Sequence, residues 1–190
     1  MGLTGRSCVK CSGLELDTQT QEANVPVSEV YWYAIQTCSR HEKPVRDRLM
    51  AAGVEPFLPL SKQCRQWSDR KVWTTAPLFS GYCFARFALA KSLVVLNMPG
   101  VVRIVGSSKP EPIQPEEIAA LQQVASADRV MEPWDYLTEG LWVEVVKGPL
   151  SGLRGQVVRR GKQHGLVIRT SLIQQAALVH IMIDEVAPIQ

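Results

Sequence analysis

The chain has 190 residues, room for one medium domain or two small ones. Its 46% hydrophobic and 21% charged residues are ordinary for a globular protein, and no run approaches the roughly 18 consecutive apolar residues a membrane span needs. The net charge of +3 is uneven: residues 31–127 carry 12 Lys/Arg against 7 Asp/Glu, while residues 128–190 carry 7 of each, so attraction to phosphate belongs to the middle of the chain.

Residues 1–30 are rich in Gly, Ser, Thr, Gln and Glu, which bury too little apolar area to offset their ordering entropy, and a disordered tail is expected. The segment lacks the apolar core of a secretory signal, and the five cysteines show no pairing framework. Both features point to a cytoplasmic, reducing setting. Tyr31-Trp32-Tyr33-Ala34-Ile35 is aromatic and β-prone and reads as a buried strand. Val45, Leu49 and Ala52 then recur at helical spacing, with Gly53 as the stop. Ser39 and Glu42 resemble a capping box, but Pro44 puts the helix start a residue or two later, with the proline in its first turn.

Val54 to Leu60 is a second strand, and residues 61–76, with Trp67 and Trp73 around Asp69-Arg70-Lys71, form a basic hairpin or extended loop. Leu78 to Phe87 is a strand interrupted at Gly81, Ala90 to Asn97 a short helix, and Val101 to Val105 a strand. Pro115-Glu116-Glu117 opens a last helix, proline sitting where its missing N–H costs nothing. The resulting order β-α-β-β-α-β is that of one antiparallel sheet backed by helices.

Residues 128–137, with Pro133, read as a linker, and residues 138–190 as four short strands at Trp142–Val146, Gly155–Arg159, Leu166–Arg169 and Leu178–Ile183. Glycine-rich turns between the first three suggest a small closed barrel. The expected fold class is therefore α+β, an N-terminal domain over 31–127 followed by an all-β one.

Nothing in the sequence announces catalysis. His41, His164 and His180 lie far apart, no nucleophile elbow or phosphate-cradling glycine loop occurs, and no acid/base pair stands out, so no enzyme, metal or cofactor is expected. Cys8-Val9-Lys10-Cys11 lacks the second ligand pair of a zinc site and reads as two solvated thiols. The stretch from Arg40 to Trp73 is more informative: it sets 8 Lys/Arg against 4 Asp/Glu and interleaves two tryptophans. Cations neutralise phosphate and flat rings stack on unpaired bases. A solvated helix face beside a loop whose tryptophans pack on the sheet would have the same composition.

Trp32-Tyr33-Ala34, Glu42, Leu49, Gly53, Phe57-Leu58-Pro59, Pro77-Leu78-Phe79, Gly81-Tyr82, Phe84 and Pro99-Gly100-Val101 together resemble the N-terminal domain of NusG-type transcription factors. Gly140, Val143 to Val146, Lys147-Gly148-Pro149-Leu150, Gly152, Gly155 and Val157 resemble the SH3-like KOW domain that follows it. The resemblance implies an elongation or antitermination factor, and the long tail and basic hairpin suggest the operon-specific, RfaH-like kind. It implies docking on the clamp helices of the largest subunit of RNA polymerase through Phe79, Tyr82 and Phe84, rings that could equally fill the core.

Lys91-Ser92-Leu93 matches the start of the second helix, which in the family touches the opposite jaw of the polymerase cleft. Arg40, His41, Lys43, Arg70 and Lys71 are the candidates for contact with the non-template DNA strand. The KOW domain would recruit Rho or a small-subunit ribosomal protein, the whole acting as a monomer with no membrane partner. The alternative reading is an RNA-binding module of the translation apparatus, because KOW barrels also occur in ribosomal proteins.

Overall fold

The structure is a computed structural model and describes residues 29–66, 71–127, 129–136, 140–160 and 163–189. The tail, Cys8, Cys11, Trp67 and Arg70 lie outside the described residues.

The first sheet is antiparallel throughout. Strand β1 (Val30–Thr37) is central, paired on one side with β5 (Tyr82–Ala88) and on the other with β6 (Val101–Ile104), and β2 (Glu55–Phe57) closes the far edge against β5. Between β2 and β5 the chain runs out and back as a separate two-stranded hairpin, β3 (Leu60–Gln66) and β4 (Lys71–Pro77), in register from Leu60 opposite Pro77 to Gln66 opposite Lys71.

Helix α1 (Glu42–Ala51) carries Pro44 in its first turn as expected and ends at Gly53, whose φ of +69° suits glycine alone at no steric cost. The helix starts after the Ser39 position, in line with Pro44, and no capping box forms: the first turn has no side-chain cap and Glu42 is used elsewhere. Helix α2 (Ser92–Leu96) is short, and α3 (Pro115–Ser126) starts on its proline with Glu116 and Glu117 in the first turn.

Strand alternation gives the sheet two apolar faces. One face, with Tyr33, Ile35, Cys83, Ala85 and Phe87, packs on Val45 and Leu49 of α1 and Val95 of α2. The other, with Ala34, Phe84, Trp32 and Tyr82, packs towards Ile118, Leu121 and Val124 of α3.

The C-terminal part is all-β: β7 (Met131–Trp134), β8 (Leu141–Val145), β9 (Arg154–Arg160), β10 (Gln163–Thr170), β11 (Gln175–Ile181) and β12 (Val186–Pro188), ordered β12-β8-β9-β10-β11-β7. Two of these strands were not foreseen. Part of the expected linker is β7, which pairs with β11 from Met131 opposite Val179 to Trp134 opposite Ala176, and Val186–Pro188 pairs with β8. The strands β10 and β11 are buried on both faces, Leu166, Ile168, Ala177 and Val179 on one side, Val167 and Leu178 on the other.

The two sheets are not independent bodies in this structure. Val143, Val145, Leu150, Leu166 and Ile168 belong to the same buried cluster as α3 and the aromatic face of the first sheet. Polar contacts hem this shared core. Gln123 Nε2 donates to the carbonyls of Pro149 (3.2 Å) and Ser151 (3.1 Å). The Ser171 N–H donates to the Glu117 carboxylate (3.1 Å), and Arg129 pairs with Glu185 (3.1 Å).

Candidate functional site

Four rings line up on the second face of the first sheet. Trp32 meets Phe57 edge-on at 6.4 Å, Phe57 stacks on Phe84 at 6.2 Å, and Phe84 meets Phe79 edge-on at 6.1 Å. The register explains the grouping: Phe57 on β2 lies directly opposite Phe84 on β5, and Tyr82 follows on the same face as Phe84. Phe79 and Tyr82 belong to the bend that leads into β5, where Gly81 adopts φ +80°, a conformation other residues rarely take.

That bend is pinned from below. The Gly81 carbonyl accepts the Thr37 N–H (2.8 Å), and the Gly81 N–H donates to the buried Glu42 carboxylate (2.7 Å). Glu42 thus fixes α1 to the turn that presents the rings.

The sequence left open whether these rings dock a partner or fill the core. Phe84 is 0% exposed and Phe79 1%, and only Tyr82, Trp32 and Phe57 are half-buried. The cover is α3 together with the C-terminal sheet. Beside it lies a cleft of about 400 Å³, with Leu78, Phe79 and Ser80 on one wall and Trp134, Tyr136 and Ala176 on the other. Sequence reasoning did not place Phe57 and Trp32 in this group, because the cross-strand register that unites them was not readable in advance.

Lys91 is exposed and Ser92 half-buried at the start of α2. The larger feature there is apolar, Leu93 at 69% exposure with Val94, Leu96 and the neighbouring Val102 also exposed.

Three of the basic candidates, Arg40, His41 and Lys43, lie at the start of α1. Arg40 is exposed in a left-handed conformation (φ +64°), and exposed His41 holds its Nδ1 3.0 Å from the Ser39 carbonyl. Lys43 Nζ donates to the Thr75 carbonyl on β4 (2.9 Å), which ties the helix to the hairpin. Arg46 is occupied by Asp47 (2.7 Å) and Arg48 by the Pro99 carbonyl (2.8 Å). Lys71 is the first residue of β4, opposite Gln66, and Arg70 is outside the described residues. On the hairpin, Trp73 is 71% exposed.

Among the described residues no group of three or more His, Cys, Asp or Glu could hold a metal ion, and no helix is long and apolar enough to cross a membrane. Burial pushes the Cys83 thiol up to about 12, the opposite of an activated nucleophile.

Comparison with known proteins agrees with this layout. The family model described as transcription termination factor nusG matches residues 30–122. The transcription termination/antitermination proteins NusG from two strains of Helicobacter pylori are each 27% identical over 177 residues, covering 83% of this chain and 98% of theirs. A solved structure, described as domain interaction in Thermotoga maritima NusG, shares the fold with a TM-score of 0.55 at 19% identity, covering 87% of this chain and all of that one. With the sheet, its aromatic face and the all-β segment arranged in this order, residues 30–122 form a NusG domain, and the chain over most of its length is similar to the transcription termination/antitermination proteins NusG.

Proposed function

We propose that this chain rides on RNA polymerase as an elongation or antitermination factor, seating Phe79, Tyr82 and Phe84 against the clamp helices of the largest subunit. One observation carries the reading: a cluster of rings on one sheet face is covered by α3 and the C-terminal sheet of the same chain. Rings that need an apolar cover accept helices of a partner in exchange for the resident one. In this reading residues 31–127 dock, and the C-terminal sheet, with β7 as one of its strands, swings away and recruits a protein such as Rho or a small-subunit ribosomal protein. Equal numbers of positive and negative residues over 128–190 suit a protein partner better than nucleic acid.

The start of α2, with Lys91 and Ser92, meets the opposite jaw of the cleft, and exposed Leu93 and Val94 give it apolar area for that contact. Bridging both jaws favours the closed clamp and disfavours pausing by shifting the population of polymerase states. The basic face of Arg40, His41, Lys43, Arg70 and Lys71 lies along the non-template strand.

The test is co-elution of the full chain with core RNA polymerase, followed by a single-round transcription assay in which pauses shorten. Tyr82→Ala is the informative variant, because its half-buried ring can be removed at lower cost to folding than Phe79 or Phe84. A loss of roughly tenfold or more in polymerase affinity, with an unchanged circular dichroism spectrum, is expected for a contact residue of this kind. Full affinity in a folded Tyr82→Ala protein would remove the docking surface.

A further inference from the structure

We propose that Trp73 is a stacking platform for the bases of a single nucleic-acid strand, standing on the β3–β4 hairpin beside the cationic start of α1. The inference rests on the nucleic-acid reading of the basic face and adds to it the residue and the kind of strand engaged.

The indole is 71% exposed, although tryptophan buries more apolar area than any other side chain when it is packed. The sheet's other rings show what packing looks like in this molecule: Phe79, Phe84 and Tyr33 are fully buried, and Trp32 and Phe57 half-buried in edge and stacked contacts. No aromatic partner of Trp73 is found among the described residues.

Its surroundings are cationic. Thr75 follows on the same face of β4 by alternation, opposite Lys62 on β3, and the Lys43 ammonium sits 2.9 Å from the Thr75 carbonyl. Two lysines from two different elements thus meet at Thr75, two residues along the strand from the ring. That is the pairing by which sequence-tolerant single-strand binders work, cations following the phosphates while rings take the bases. Bases in a duplex already stack on their neighbours and offer no free face, so the platform selects unpaired strands. A bare tryptophan also suits a protein hot spot, but the local charge favours phosphate.

The experiment measures binding of the full chain to a short fluorescein-labelled single strand, and to the duplex of the same sequence, by fluorescence anisotropy at low salt. Trp73→Ala is expected to weaken single-strand binding by about 5- to 100-fold, the loss of one stacked base. Trp73→Phe should retain most of the affinity. The salt slope should stay the same, because no phosphate contact is removed. Lys43→Ala, in contrast, should reduce that slope by about one and weaken both nucleic acids.

If Trp73→Ala binds the single strand as the wild type does, or loses single strand and duplex equally, the platform is refuted while the basic face stands. If the wild type binds neither oligonucleotide, the nucleic-acid reading beneath it fails as well. If Trp73→Ala keeps the oligonucleotide but loses polymerase, the ring is a protein contact and the inference is overturned.

Discussion

Glu42 shows how one side chain can differ from its sequence reading and gain a role by it. Spacing from Ser39 suggested a helix cap, whereas the carboxylate reaches across the sheet end to the Gly81 N–H and is buried there. Glu42→Ala leaves that donor unsatisfied and should cost about 1–3 kcal/mol in urea denaturation, while Glu42→Gln, which still offers a carbonyl, should cost less. Cys83 makes a second residue-scale prediction. Its thiol is raised by burial from 9.0 to about 12, so its contribution to stability is complete below about pH 9 and is lost as pH rises towards 12. Cys83→Ala should flatten that alkaline decline in a thermal melt. At neutral to mildly alkaline pH, peptide mapping after alkylation should find exposed Cys38 modified and Cys83 spared. Alternation alone put Tyr82 and Phe84 on one face. Their exposure was not legible, because the segment covering them lies more than 30 residues further along the chain.

Elements were more readable than contacts. Strong local signals marked β1, α1, the hairpin, β6 and α3, and each is present within a residue or two of its expected ends. The strands β7 and β12 escaped notice for a common reason. Met131–Trp134 and Val186–Pro188 are short and each contains proline, so only their partners β11 and β8 make them strands. Helix α3 is the element that joins the two halves, with Leu121 fully buried between them and Gln123 and Glu117 bonded to the C-terminal loops. Replacing Gln123 and Glu117 together by Ala should speed amide exchange at Leu150, Ser151 and Ser171, while the amides of β1 and β5 keep their protection. Uniform acceleration across both sheets would mean that α3 holds the whole fold rather than a junction. Leu121→Ala, by contrast, should cost about 2–5 kcal/mol by opening a cavity in the shared core.

At the scale of the whole molecule, the sequence reading of two successive domains accounts for the two sheets but not for their common core. Composition reports how apolar each segment is, and an apolar face looks the same whether it awaits a partner or rests on a neighbour. Under the proposed function, the Gln123→Ala, Glu117→Ala protein should have a larger radius of gyration in solution scattering and bind polymerase more tightly than the wild type. An unchanged affinity alongside a larger radius would mean that the covered face is not the one polymerase uses.

The aromatic face and the sheet that lies over it can be occupied by outside molecules only after they part. Under the proposed function, a ligand that holds the C-terminal half away from α3 tightens the grip of the N-terminal half on its own target, and that target favours the first ligand by the same factor. With a typical linkage of about 1–3 kcal/mol this reciprocity amounts to about 5- to 150-fold, with no new contact between the two ligands.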